Sequence, residues 1–102
     1  MAEWICIEDA ASVADGSMKA ISLAGKHLIL FKVSGTYFVT DRRCTHQQAD
    51  LLRGYFDQDV IECPVHQGRF NVRTGEALSA PACMPLRTYP VKSLDNRIYV
   101  EI

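Results

Sequence analysis

The sequence predicts an all-β fold, and three observations predict it. No apolar period of 3.6 residues is sustained along the chain, so no amphipathic helix of ordinary length is expected. β-Branched and aromatic residues gather in short runs such as Thr36-Tyr37-Phe38-Val39-Thr40. Turn-forming residues separate these runs at short intervals. The expectation is a set of short antiparallel strands.

The elements follow in order. Trp4 to Ile7 reads as a short apolar strand. Asp9 to Asp15 is alanine-rich and reads as one helical turn, with Asp9 as its cap and Gly16 as its end. Met18 to Leu23 and Lys26 to Val33 are strands flanking Ala24-Gly25, and Ser34-Gly35 turns the chain into Thr36 to Thr40. A polar stretch follows, from Asp41 to Gln48. Strands resume at Gly54 to Phe56, turn at Asp57-Gln58-Asp59 and return at Val60 to Glu62. A second loop, Cys63 to Gly68, precedes a hairpin of Arg69 to Val72 and Glu76 to Leu78. Ser79 to Pro85 carries two prolines and reads as irregular. The last hairpin pairs Leu86 to Ser93 with Arg97 to Ile102 across Asp95-Asn96.

Composition bounds the function. The 102 residues suit a single domain, 1–102, and 48% hydrophobic content excludes disorder as the main reading. A formal net charge of −1 gives no electrostatic footprint for nucleic acid or an anionic membrane. The longest apolar run, Leu28-Ile29-Leu30-Phe31, is far short of the roughly 20 residues a membrane helix needs. Met1-Ala2-Glu3-Trp4 does not read as a signal peptide, so a cytoplasmic location is expected. In that reducing compartment the four cysteines read as metal ligands or free thiols, not as a disulfide frame.

Two loops carry the chemistry: Cys44-Thr45-His46 and Cys63-Pro64-Val65-His66. Sixteen residues separate His46 from Cys63. The strand reading makes that interval one hairpin excursion, which sets the two loops side by side. Two thiolates and two imidazoles then converge. A tetrahedral zinc would use such a set, but zinc-finger spacing usually groups like ligands together. A two-iron cluster explains one cysteine and one histidine in each loop, because one iron takes both thiolates and the other both imidazoles.

This pattern resembles the motif of Rieske iron–sulfur proteins, and most closely that of the small Rieske ferredoxins of bacterial aromatic-ring dioxygenase systems. The likeness runs over nearly the whole chain. It includes Gly54-Tyr55-Phe56, Val60 to Pro64, Gly68-Arg69-Phe70, Val72 to Gly75, and Leu86 through Tyr89-Pro90-Val91. It implies a three-sheet Rieske fold with a cluster-binding part, roughly 41–85, at one tip. It also implies one [2Fe–2S] cluster on Cys44, His46, Cys63 and His66, with Ser79 to Pro85 lying over it. Gln47 departs from the glycine that many relatives carry after the first histidine.

The ligand set bears on potential. Two ferric ions, two sulfides and two thiolates sum to zero charge, so an added electron meets less repulsion than in a four-cysteine cluster. Respiratory Rieske proteins add a disulfide at positions that match Ala49 and Val65. They also place hydroxyls at positions that match Gly68 and Phe70. Lacking those donors, this chain is expected near the low end of the range, about −150 mV.

The other candidates carry plainer readings. Cys6 reads as a small buried hydrophobe, Cys83 as an unligated packing residue of the proline loop, His27 as strand surface and Trp4 as core or edge packing. Arg42, Arg43, Arg69 and Arg73 bracket the loops and read equally as solvated surface or docking groups.

No G-x-G-x-x-G run is present for a nicotinamide or flavin. Once the cluster takes two histidines, His27 alone remains for any mononuclear iron site. The chain is therefore expected to be a monomeric one-electron carrier, not an enzyme. By resemblance, its partners are a flavin-containing NAD(P)H-dependent ferredoxin reductase and a terminal Rieske dioxygenase. Alternatives are a Rieske-type small subunit of assimilatory nitrite reductase, the ferredoxin of an aromatic monooxygenase, or a zinc-stapled interaction module.

Overall fold

A computed structural model describes residues 3–45, 49–65, 67–80 and 84–102. Eleven described strands form three antiparallel sheets. The first sheet joins β1 (Trp4–Asp9), β11 (Arg97–Glu101) and β10 (Val91–Leu94) in the order β1-β11-β10. The second joins β2 (Met18–Leu23), β3 (Lys26–Val33), β4 (Thr36–Asp41) and β9 (Thr88–Tyr89) in the order β2-β3-β4-β9. The third joins β5 (Tyr55–Asp57), β6 (Val60–Glu62), β7 (Arg69–Asn71) and β8 (Ala77–Ser79) in sequence order.

The tight hairpins have a local cause. Ala24-Gly25 and Ser34-Gly35 both sit at positive φ, at 51° and 78° and at 48° and 81°. Two successive left-handed residues match the twist of the flanking strands. They fix the registers Leu23↔Lys26 and Val33↔Thr36.

β3 organises the interior. Leu28, Ile29, Leu30 and Phe31 are all fully buried, so both faces of this strand are covered. Ile29, Phe31 and Val33 face a core shared with Cys44, Leu51, Ile61, Cys63, Phe70, Val72 and Leu86. Leu28 and Leu30 face a second core with Val39, Tyr89, Ile98 and Val100. The Phe31 and Phe56 rings, 4.8 Å apart and tilted at 56°, join the second sheet to the third.

Three expectations change. The strand read as Leu86 to Ser93 is two strands in two sheets: β9 pairs with β4, and β10 pairs with β11. Pro90 lies between them and has no N–H for a ladder, so the chain changes partners there. The alanine-rich turn exists as a 3-10 turn, Ala10–Ser12, but the Asp9 side chain does not cap it. Instead the Ser12 hydroxyl donates to the Asp9 carbonyl at 2.8 Å. Cys6 is exposed, not buried: the Ile5 and Ile7 side chains take the inward positions on β1, and Cys6 falls on the outer face.

Candidate metal centre

Both predicted loops are closed in the same way. The Cys44 N–H donates to the Ala49 carbonyl at 2.9 Å, and the Cys63 N–H donates to the Gly68 carbonyl at 2.7 Å. Each loop thus begins on its cysteine and is closed by the carbonyl five residues on. The pair that precedes closure is Arg43↔Asp50 in the first loop and Glu62↔Arg69 in the second. The two cysteines occupy equivalent places in two like-sized loops.

Their side chains meet. Cys44 and Cys63 are 4% and 0% exposed, and both belong to the core that holds Phe70 and Ile61. Burial pushes the Cys63 thiol above its ordinary pKa. The Val65 N–H opposes that shift, and the neighbouring Cys44 sulfur reinforces it. The Cys63 thiol, buried in an apolar pocket with a second sulfur beside it, resists becoming a thiolate unless cations lie against it. A pair of ferric ions supplies such charge, so this donor pair fits an iron–sulfur cluster. Among the described residues no group of three or more His, Cys, Asp or Glu gathers at metal-binding distance. His46 and His66, the other two predicted ligands, lie outside the described residues, as do Gln47, Pro81 and Cys83.

The surroundings hold the loops in place. The 3-10 turn Leu51–Arg53 follows the first loop, and Asp50 caps it by accepting from the Leu52 N–H at 2.9 Å. The Thr45 hydroxyl donates to the Met84 carbonyl at 2.8 Å and so ties the first loop to the segment after Pro81. Gly75, at φ 80°, brings its carbonyl to the Leu86 N–H at 2.7 Å and anchors that segment's far end. Three of the four bracketing arginines are engaged in ion pairs. Arg42 pairs with Asp50, Arg69 with Glu62, and Arg73 with Asp59. Arg43 is exposed. His27 is strand surface, as predicted, and lines an open cleft of about 510 Å³ with Asp41, Arg42, Arg43, Ala49 and Asp50. Trp4 is edge packing under the Lys92 ammonium, 4.4 Å from its ring.

Comparison with known proteins agrees with this geometry. The ferredoxin component of a naphthalene 1,2-dioxygenase system from Pseudomonas putida is 39% identical over 100 residues, covering 98% of this chain and 96% of the relative. The ferredoxin of Sphingomonas yanoikuyae B1 superposes with a TM-score of 0.91 at 38% identity, covering 98% of this chain and 99% of its own. A structure described as a complex of reduced oxygenase and oxidized ferredoxin in carbazole 1,9a-dioxygenase contains a chain that superposes with a TM-score of 0.90. That chain is 35% identical, with 95% of this chain and 91% of the other covered. In the described residues no helix is long and apolar enough to cross a membrane. Residues 3–90 match the Rieske [2Fe-2S] domain, and the chain belongs to that family, whose members carry one two-iron, two-sulfide cluster.

Proposed function

We propose that this chain is the one-electron carrier of an aromatic-ring dioxygenase system. It takes electrons from a flavin-containing, NAD(P)H-dependent reductase and delivers them to a terminal Rieske oxygenase. Residues 1–102 act as one domain, monomeric and cytoplasmic, with 41–85 as the cluster-binding part. Cys44 and Cys63 would hold one iron of the cluster, and His46 and His66 the other. The observation that carries this reading is the pair of touching, buried thiols at equivalent positions of two like-closed loops.

When bound, the cluster supplies one-electron redox chemistry. The chain's residues do the rest. As thiolates, Cys44 and Cys63 would hold the cluster at the floor of an apolar core that keeps water from the sulfur side. The Val65 N–H stabilises charge on the Cys63 sulfur. Gly68 and Phe70 offer no side-chain donor, which leaves the reduced state less stabilised and the potential low. The relatives named as ferredoxin components, and the ferredoxin seen with its oxygenase, support the two-partner role.

The test is direct. Purified protein should hold two irons per chain and, when reduced, give an EPR signal with average g near about 1.9. His46→Ala and His66→Ala should abolish it. A normal spectrum in either variant rejects the ligand assignment. A protein that holds zinc, or that no flavin reductase reduces, rejects the function.

A further inference from the structure

The two loops are closed alike but their necks are built differently. The second loop rises from a regular ladder, in which Val60↔Asn71, Ile61↔Phe70 and Glu62↔Arg69 lie one after another. A ladder of backbone hydrogen bonds holds that neck together. The first loop has a single isolated bridge, Arg43↔Asp50, beyond which the chain leaves in two directions. One end runs back into β4, and the other enters the Leu51–Arg53 turn.

At that bridge the Leu51 N–H donates to the Arg42 carbonyl at 2.8 Å, and side chains add to this short backbone hold. Arg42 Nε donates to Asp50 Oδ1 and Arg42 Nη2 to Asp50 Oδ2, both at 2.8 Å. This is the two-pronged match of a planar guanidinium to a carboxylate, which fixes orientation as well as distance. Asp50 Oδ1 also accepts from the Leu52 N–H at 2.9 Å. Arg42 is held from behind, since its own N–H donates to the His27 carbonyl on β3 at 3.0 Å. One carboxylate therefore links the central sheet, the loop neck and the following turn. Both side chains are about one-third exposed, at 31% and 28%. The pair at the second neck is different. Arg69 makes one contact to Glu62, at 2.9 Å, with the arginine side chain 57% exposed, on a neck the ladder already holds.

We propose that the Arg42–Asp50 fork is the positioning pair for the first cluster loop. It holds the segment that bears Cys44 and His46 in ligating register, a task the β6–β7 ladder performs for the second loop. Neither residue is a ligand; both act through the backbone at the Arg43↔Asp50 bridge. The inference rests on the ligand assignment proposed above. It identifies the first loop as the one whose opening releases the cluster.

The test compares holo-protein variants that conserve shape. Arg42→Lys keeps the charge and loses the fork. Asp50→Asn keeps an oxygen for the Leu52 cap and loses the charge. Glu62→Gln and Arg69→Lys are the controls. The readouts are the rate of cluster loss to an iron chelator, followed by visible absorbance, and the g-values of the reduced state. Arg42→Lys and Asp50→Asn should each lose the cluster about tenfold faster, as expected for losing a charged hydrogen-bonding partner. They should shift the g-values too, and the double variant should be no worse than either alone. The controls should stay within about twofold. Loss rates at the first neck equal to those of the controls overturn the proposal. So does a lowered melting temperature with unchanged g-values and loss rate, because that marks a merely structural pair. Wild-type protein without the [2Fe–2S] signal fails the function itself, and that failure is visible before any variant is compared.

Discussion

Gly54 couples the fold to the metal centre, and replacing it tests that coupling. It lies between the Leu51–Arg53 turn and β5, at φ −82° and ψ −171°, extended backbone that any residue adopts. A Cβ there would stand inside 3.0 Å of the Glu62 carbonyl oxygen and 3.1 Å from the Leu51 carbonyl oxygen. No backbone strain enters, so the whole cost of Gly54→Ala is steric. The chain around Gly54 must move off the end of β6 by about an ångström, and the Gly54 N–H bond to the Leu51 carbonyl, 2.9 Å, loosens with it. Overpacking of this kind costs roughly 1–3 kcal/mol, and a weakened hydrogen bond adds about 1. At roughly 4–8 °C per kcal/mol for a chain of this size, the melting temperature should fall by roughly 10–30 °C. Glu62 precedes Cys63, so the displacement also reaches a residue proposed above as a ligand. Melting of the holo-protein by circular dichroism, with cluster absorbance followed in parallel, should show both losses. A variant that melts within about 2 °C of wild type refutes the close-approach argument.

Other predictions concern tuning, docking and pH. Gly68→Ser with Phe70→Tyr should raise the reduction potential by several tens of millivolts, where about 30 mV would multiply the one-electron equilibrium threefold. Phe70 is fully buried in the core that holds both cysteines, so an unchanged potential with intact cluster means that the hydroxyls do not reach sulfur. Gln67 is exposed at φ 59° in the second loop, and Gln67→Arg should slow both reduction by the reductase and oxidation by the oxygenase, while Glu101→Lys on β11 slows neither. Impairment with one partner only rejects a shared docking surface; Gln47 and Pro81, expected on that same surface, lie outside the described residues. Tyr89 is pushed up to about 12, first by burial and then by its 2.6 Å hydrogen bond to Asp41. A raised folded value means that its stabilisation is complete below the ordinary value of 10.0 and is lost as pH climbs toward 12. Tyr89→Phe should therefore flatten the fall in stability across that window, and an unchanged pH profile contradicts the assignment.

Much of this was legible in the residues because the signals are local. Positive-φ turn pairs such as Ala24-Gly25 and Ser34-Gly35 mark hairpins wherever they stand, and β2, β3 and β4 follow from them. The two cysteine loops were legible for a related reason: a hairpin between them, β5 with β6, brings its ends together. What escaped depends on partners distant in sequence. Alternation along residues 86–93 cannot say that the chain pairs first with β4 and then with β11. Cys6 has the composition of a core residue, yet its face of β1 is settled by Ile5 and Ile7 and by the neighbour β11. The Arg42–Asp50 fork spans eight residues across a loop, and the Thr45–Met84 bond spans 39. Neither spacing belongs to a helix or strand period, so no sequence pattern announces them.

The placement of the thiols bears on how a protein this small can serve as a carrier. A cluster whose protein ligands shift with oxidation state adds a barrier to each transfer, so the ligands need stiff support. Cys44 and Cys63, the cysteines proposed above as ligands, obtain it from β3. The same strand drives Ile29, Phe31 and Val33 into the core around the sulfurs and Leu28 and Leu30 into the core on its other face. Movement at the cysteines would therefore disturb packing on one side of a strand whose other side is also full. The sealed side is closed to partners for the same reason. Thr45, Pro64, Gln67 and Met84, which flank the loops on the open side, are all exposed. Rigidity and access thus lie on opposite sides of one pair of sulfurs, and an electron entering or leaving has its short route through the exposed side.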